Sequence, residues 1–239
     1  MTDTFKNAKV FLTGANGGVA QALIAGLLAR GVDKIYTAAR DTTSMAATDR
    51  LVPVTLDVTS DSAVAQAAAM ATDVTLLINN AGVNHNTAFL LAPDLGVARD
   101  EFEVNYLAPL RLTRAFAPIL IANQGAVLNM LTILARVNLP FMGSYCASKA
   151  AALSLTQGLR AELAPKGVRV VAALPGAIDT RMTAVLDIPK MSPADAATEI
   201  LDGFEVGEEE IYVGDMARGL AEGLASDPKG VERQLAGNG

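Results

Sequence analysis

Short, nearly unbroken apolar runs recur along the chain, each separated from the next by a helix-forming stretch or a loop. "KVFLTG", "KIYTAAR", "LVPVTLDV", "VTLLINNAG", "AVLNML" and "VRVVAALPG" read as strands. Runs such as "VTLLI" and "VRVVAAL" are continuous rather than alternating, the pattern of strands covered on both faces. Between them, Val19 to Arg30 is a run of helix formers stopped by Gly31, and longer helices are predicted over Gly96 to Ala122 and Ser144 to Pro165. Another spans Pro193 to Gly203, with Ser192 as its N-cap and Pro193 at the first helical position. After "EEEIYVG" the tail predicts one more strand and a polar terminal helix, with Glu208 to Glu210 on a solvated turn. Strands alternating with helices imply an α/β fold: a doubly wound, Rossmann-like parallel sheet with helices on both faces.

Composition narrows the picture. A chain of 239 residues suits one α/β domain, expected to span 1–239. With 51% hydrophobic and 18% charged residues it can bury a large core. The formal charge is −6 and the basic residues are scattered, which argues against nucleic acid or a membrane surface as partner. No apolar run reaches spanning length and the first residues do not resemble a signal peptide, so a cytoplasmic protein is expected. One cysteine and one histidine exclude an intrachain disulfide and make a His/Cys metal site implausible. Redox chemistry, if any, then needs an organic cofactor.

Candidate chemistry sits in three places. In "TGANGGVA", Gly14 and Gly18 frame a strand-to-helix turn where a phosphate can approach backbone N–H groups, although a tight turn without ligand would look the same. Arg40, at the end of the second strand, stands where a carboxylate would select an adenosine ribose; an arginine suits a 2′-phosphate, the alternative being a solvated side chain paired with Asp41. In "GSYCASKAA", Tyr145 and Lys149 fall one helical turn apart on one face. Cys146 points about 100° away from Tyr145 and reads as packing. His85 lies in a loop with no visible partner and reads as non-catalytic. Pro109 cannot donate to the carbonyl of Asn105, which leaves that carbonyl free inside a predicted helix.

"TGANGGVA", "NNAG" at Asn79 to Gly82, "VNYLAP" at Val104 to Pro109, "YCASK" at Tyr145 to Lys149 and "PGAIDT" at Pro175 to Thr180 resemble, in order, the motif series of the short-chain dehydrogenase/reductase family. The resemblance implies Tyr145 as proton donor or acceptor and Lys149 as a bond to the nicotinamide ribose. A nearby ammonium would also lower the phenol from its usual value near 10. Where similar enzymes carry a serine, thirteen residues before the tyrosine, this chain has Thr132; the hydroxyl is kept, with a stiffer rotamer, or else it merely bonds backbone. The resemblance makes Asn105 part of a proton relay through water to Lys149. It places Gly14, Asn16, Gly18 and Val19 at the cofactor phosphates and Asp57 and Val58 near adenine, though Asp57 could equally be a turn residue. It sets Asn79, Ala81 and Gly82 along the cofactor and Pro175, Gly176 and Thr180 near the carboxamide.

Together these imply an oxidoreductase using NADP(H) in preference to NAD(H) on a small hydrophobic ketone, aldehyde or alcohol. The substrate would lie under a lid of residues 181–191, against Met142, Ala177 and Met182. A non-catalytic NADP(H)-sensing regulator needs the glycine turn and Arg40 but not Thr132, Tyr145 and Lys149. An epimerase or dehydratase of the same broad family would use the same tyrosine but has little room after Thr180. The resemblance also implies a homodimer or homotetramer through the two long helices that carry Asn105 and Tyr145.

Overall fold

The computed structural model describes residues 4–237. Seven strands, β1 (Lys9–Thr13), β2 (Lys34–Ala39), β3 (Leu51–Thr55), β4 (Leu76–Asn79), β5 (Ala126–Met130), β6 (Arg169–Pro175) and β7 (Glu210–Val213), form one sheet in the order β3-β2-β1-β4-β5-β6-β7. Every pairing is parallel; Val10, for example, lies opposite Ile35 on one side and Leu76 on the other.

The described residues form eight α-helices: α1 (Gly18–Ala29), α2 (Asp61–Met70), α3 (Gly96–Phe102), α4 (Ala108–Ala122), α5 (Gly143–Leu163), α6 (Pro193–Val206), α7 (Asp215–Ser226) and α8 (Pro228–Leu235). Because side chains alternate across a strand, β1 serves two cores. Val10 and Leu12 face Leu23 and Leu27 of α1 and Ile200, Leu201 and Phe204 of α6. Phe11 faces the other way, toward α2, α4 and α5, where its ring lies 4.7 Å from that of Phe116. No helix among the described residues is long and apolar enough to cross a membrane.

Three expectations change. The helix expected over Gly96 to Ala122 is interrupted by a π-turn at Glu103–Leu107, in which the Ala108 N–H donates to the Glu103 carbonyl five residues back. Pro109 has no N–H to continue the ordinary ladder, so the register slips by one residue there. The tail carries two helices rather than one, because Asp227 accepts from the Gly230 N–H and Pro228 opens a new first turn. Glu210 belongs to β7 rather than to a solvated turn, and its carboxylate is paired with Arg136.

After β1 the chain winds outward through β2 and β3, then crosses back to place β4 on the other flank of β1. That reversal opens a crevice beyond the carboxyl ends of β1 and β4, the place where doubly wound sheets bind ligands.

Candidate active site

The crevice is tight at its base. Gly14 has φ +65°, and a side-chain carbon there would sit 2.9 Å from the Ala81 Cα, so only glycine lets the two segments meet. Thr13 Oγ1 clasps the facing loop, accepting from the N–H groups of Asn80 (3.0 Å) and Ala81 (3.1 Å). Asn80 Nδ2 returns a bond to the Thr13 carbonyl at 2.9 Å. Gly17 is the extended N-cap of α1 and supplies no side-chain acceptor, which leaves first-turn N–H groups of that helix open toward the crevice. Gly18 lies against Thr180, whose Cγ2 would be 3.5 Å from a carbon added at Gly18. Asn16 is exposed on the turn and Val19 packs against the core.

Asn79 is placed differently from its neighbours Ala81 and Gly82. Its amide is buried and donates to Asn129 Oδ1 at 2.8 Å, and Asn129 in turn donates to Thr156 Oγ1 at 2.9 Å. This side chain ties β4 to β5 and α5 beneath the crevice. Thr13 and Asn80, which hold the crevice floor, are the residues that sequence reasoning passed over. Both stand inside motifs it singled out, but their roles depend on a contact across 67 residues.

At the outer rim Arg40 is exposed at the end of β2. It is not held by Asp41, whose carboxylate takes the Thr43 N–H and hydroxyl instead. Asp57 is a turn residue, its Oδ1 accepting from the Thr59 N–H at 2.9 Å and the Thr59 hydroxyl at 2.7 Å. Those bonds, with Arg40 and then Arg111 nearby, hold its carboxyl below the usual range. The Val58 carbonyl accepts from Arg111.

Tyr145 and Lys149 lie one turn apart on α5, 9% and 5% exposed. Lys149 Nζ donates to the Met130 carbonyl at 2.9 Å and sits 5.9 Å from the centroid of the Tyr145 ring. Burial lowers the Lys149 ammonium from 10.5 to about 8. Burial also pushes the Tyr145 phenol up, with further upward contributions from Cys146 and Glu101. The lowering expected from Lys149 is not what the site shows: burial dominates and raises the phenol, and the ammonium is engaged with a backbone carbonyl.

Thr132 follows β5 and caps a short 3₁₀ turn at Ile133–Ala135. Its hydroxyl donates to the Pro175 carbonyl (3.2 Å) and accepts from the Leu134 N–H (3.3 Å). Asn105 is buried in the π-turn. Its amide donates to the Val83 carbonyl and Ser148 Oγ, each at 2.9 Å, and its Oδ1 accepts from the Val83 N–H at 3.0 Å. A carbon added at Gly82 would meet both Asn105 Oδ1 (3.2 Å) and Lys149 Nζ (3.6 Å), so these three residues share one small space.

His85 does have an oriented partner: its Nε2 lies 2.7 Å from Asp100 Oδ2, at the surface. Cys146 is buried with Tyr145 and Met142, as the packing reading requires, and Leu134, Leu139 and Leu186 cover that cluster. Beyond β6, Pro175 is buried and Gly176 is crossed by Met216 of α7, 3.0 Å from where a side-chain carbon would be. The segment from Thr180 to Met191 leaves and rejoins the body at a neck. There Met191 donates to the Ala177 carbonyl and Asp179 donates to the Met191 carbonyl. Met182, Val185 and Ile188 on it are exposed, whereas Leu186 reaches Tyr145's cluster. Among the described residues no group of His, Cys, Asp and Glu could hold a metal ion.

Comparison with known proteins agrees with this geometry. The profile of the short chain dehydrogenase family matches residues 8–189. A short-chain dehydrogenase from Burkholderia cenocepacia J2315, solved in complex with NADP, is 45% identical and superposes with a TM-score of 0.94 over 97% of this chain and 98% of its own. Short-chain dehydrogenase PC-15 of Penicillium crustosum is 36% identical over 180 residues, 72% of this chain and 66% of that protein. Retinol dehydrogenase 16 of Homo sapiens is 33% identical over 192 residues, 73% of this chain and 58% of that protein. The chain thus spans under two thirds of the length of these two relatives. With its motifs assembled in one crevice and three quarters of its length matching the family profile, this chain belongs to the short-chain dehydrogenase/reductase family.

Proposed function

We propose that the protein is an NADPH-dependent carbonyl reductase or, in reverse, an alcohol dehydrogenase for small hydrophobic ketones, aldehydes and alcohols. The observation that carries this reading is the buried pair of Tyr145 and Lys149 beside a crevice fit for a dinucleotide. That fit rests on the glycine cradle at Gly14, the uncapped start of α1 and the guanidinium of Arg40, which lies near Asp57 and makes no ion pair among the described residues. The B. cenocepacia relative is described in complex with NADP, which supports the same choice.

When bound, the nicotinamide supplies or accepts the hydride. The chain's own residues do the rest. Tyr145, protonated in the cofactor-free protein, gives its phenolic proton to the carbonyl oxygen. Lys149 would hold the ribose and stabilise the phenolate left behind. Thr132 holds the substrate oxygen in place by redirecting its hydroxyl from the Pro175 carbonyl. Asn105 belongs to the route that returns a proton toward Lys149. The lid, with Leu186 over Tyr145, excludes water and selects apolar substrates.

The test is loss of reduced-nicotinamide absorbance with a panel of small ketones and aldehydes, benzaldehyde among them, in wild type and Tyr145→Phe. The variant should lose about 100-fold or more in kcat while binding NADPH within about threefold of wild type. A variant as active as wild type would refute the assignment. Cofactor binding with no turnover of any substrate would favour a regulator that senses NADP(H).

A further inference from the structure

Glu101 is a carboxylate only 1% exposed, whereas its neighbours Asp100 and Glu103 meet His85 and Arg111. It stands four residues before Asn105, on the same face. Its Oε1 accepts from the His85 N–H at 2.8 Å, and its Oε2 accepts from the hydroxyl of Ser144, the residue preceding Tyr145. The adjacent Gly143 N–H donates to the Thr87 carbonyl at 3.2 Å, and Asn105 grips Val83 from both sides. One side chain therefore ties the first turn of α5 to the loop at 83–88 that walls the crevice. Both oxygens act as acceptors from neutral donors, and no cation pairs with the group among the described residues.

We propose that Glu101 is a positioning residue for Tyr145, fixing the first turn of α5 through Ser144 and, by its uncompensated negative charge, holding the phenol in its proton-donating form. This rests on the role given to Tyr145 above. During reduction a hydride forms the new C–H bond and the phenolic proton forms the new O–H bond. The phenolate left behind then takes a proton from water, and a neighbouring carboxylate drives that recharging. The ionisable groups acting on Tyr145 among the described residues are Lys149 and Cys146 from its own helix and Glu101 from α3; the lid and the loop after β5 pack Leu186, Leu134 and Leu139 against its cluster. His85 Nε2 lies against Asp100 further out, at the surface.

Glu101→Gln keeps shape and the bond from the His85 N–H, with its amide donating to Ser144 Oγ in place of accepting, and removes the charge, whereas Ser144→Ala keeps the charge and removes the tie. Ultraviolet phenolate titration of the NADP⁺ complexes, with the Tyr145→Phe titration subtracted, reads the phenol without turnover. Glu101→Gln should show phenolate appearing at least about half a pH unit lower than wild type, roughly a threefold change in proton affinity. Ser144→Ala should titrate as wild type yet reduce benzaldehyde about tenfold more slowly in kcat at unchanged NADPH KM. A Glu101→Gln titration superimposable on wild type, or a Ser144→Ala kcat equal to wild type, would overturn the proposal. If Glu101→Gln does not fold, the Ser144→Ala kcat decides. Full turnover by Tyr145→Phe would instead remove the catalytic reading and leave the titration result standing.

Discussion

Replacing Lys149 with methionine should make the folded protein more stable. The ammonium is 5% exposed, and burial brings it from 10.5 down to about 8. That gap, at about 1.4 kcal/mol per pH unit, means the charged side chain costs about 3 kcal/mol at pH 7 relative to its neutral form. Methionine fills a similar volume without charge, but it strands the Met130 carbonyl that Nζ now bonds, returning about 1 kcal/mol. The expected net gain is about 2 kcal/mol at pH 7. The sign with pH follows from proton counts. Between about 8 and 10.5 the unfolded lysine holds a proton that the folded one has lost, so wild-type stability rises with pH across that window. By pH 9.5 the rise is about 2 kcal/mol. Tyr145 acts in the opposite sense only above 10, where the unfolded phenol ionises and the folded one does not. Urea unfolding of cofactor-free wild type and Lys149→Met at pH 7 and pH 9.5 measures both quantities. A variant less stable than wild type at pH 7, or one retaining the wild-type rise, would refute the argument. The gain should come with loss of turnover, since a group kept at such cost is kept for its chemistry.

Gly14→Ala should lower the midpoint of thermal unfolding and weaken NADPH about tenfold or more, because φ +65° and the approach to Ala81 leave no place for a methyl group. Thermal melts with and without NADPH check this, and a wild-type shift would contradict it. Arg40→Asp should weaken NADPH about 30-fold while changing NADH less than about threefold, the worth of a charge-assisted contact to a 2′-phosphate. Equal changes in the two dissociation constants would remove the contact.

The sheet was legible because each buried strand is a continuous apolar run between turn signals, as in "VRVVAALPG", which becomes β6. The proximity of Tyr145 and Lys149 was legible because both stand on one helix, where spacing alone dictates it. What escaped reading depends on contacts between segments distant in sequence. Pro109 announced a disturbed helix, but not that the disturbance would be a π-turn, nor that the Asn105 side chain would fasten Val83 and Ser148. Glu101 had a signal, an acid one turn before Asn105 on the face turned inward, yet its partners lie 16 and 43 residues away. The upward push on Tyr145 was misjudged because a charge pair can be counted from sequence and burial cannot.

The neck at Ala177 to Asp179 and Met191 gives the segment it closes a degree of independence from the sheet. Its two ends already meet, so lengthening the loop adds little closure entropy, about 0.6 kcal/mol for each doubling. Within it, Thr180 lies against Gly18 and Leu186 packs on the Tyr145 cluster of α5, while Met182, Val185 and Ile188 are exposed. The fold can therefore carry alternative inserts at this one place, exchanging the shape of the proposed lid while the register of every strand is kept.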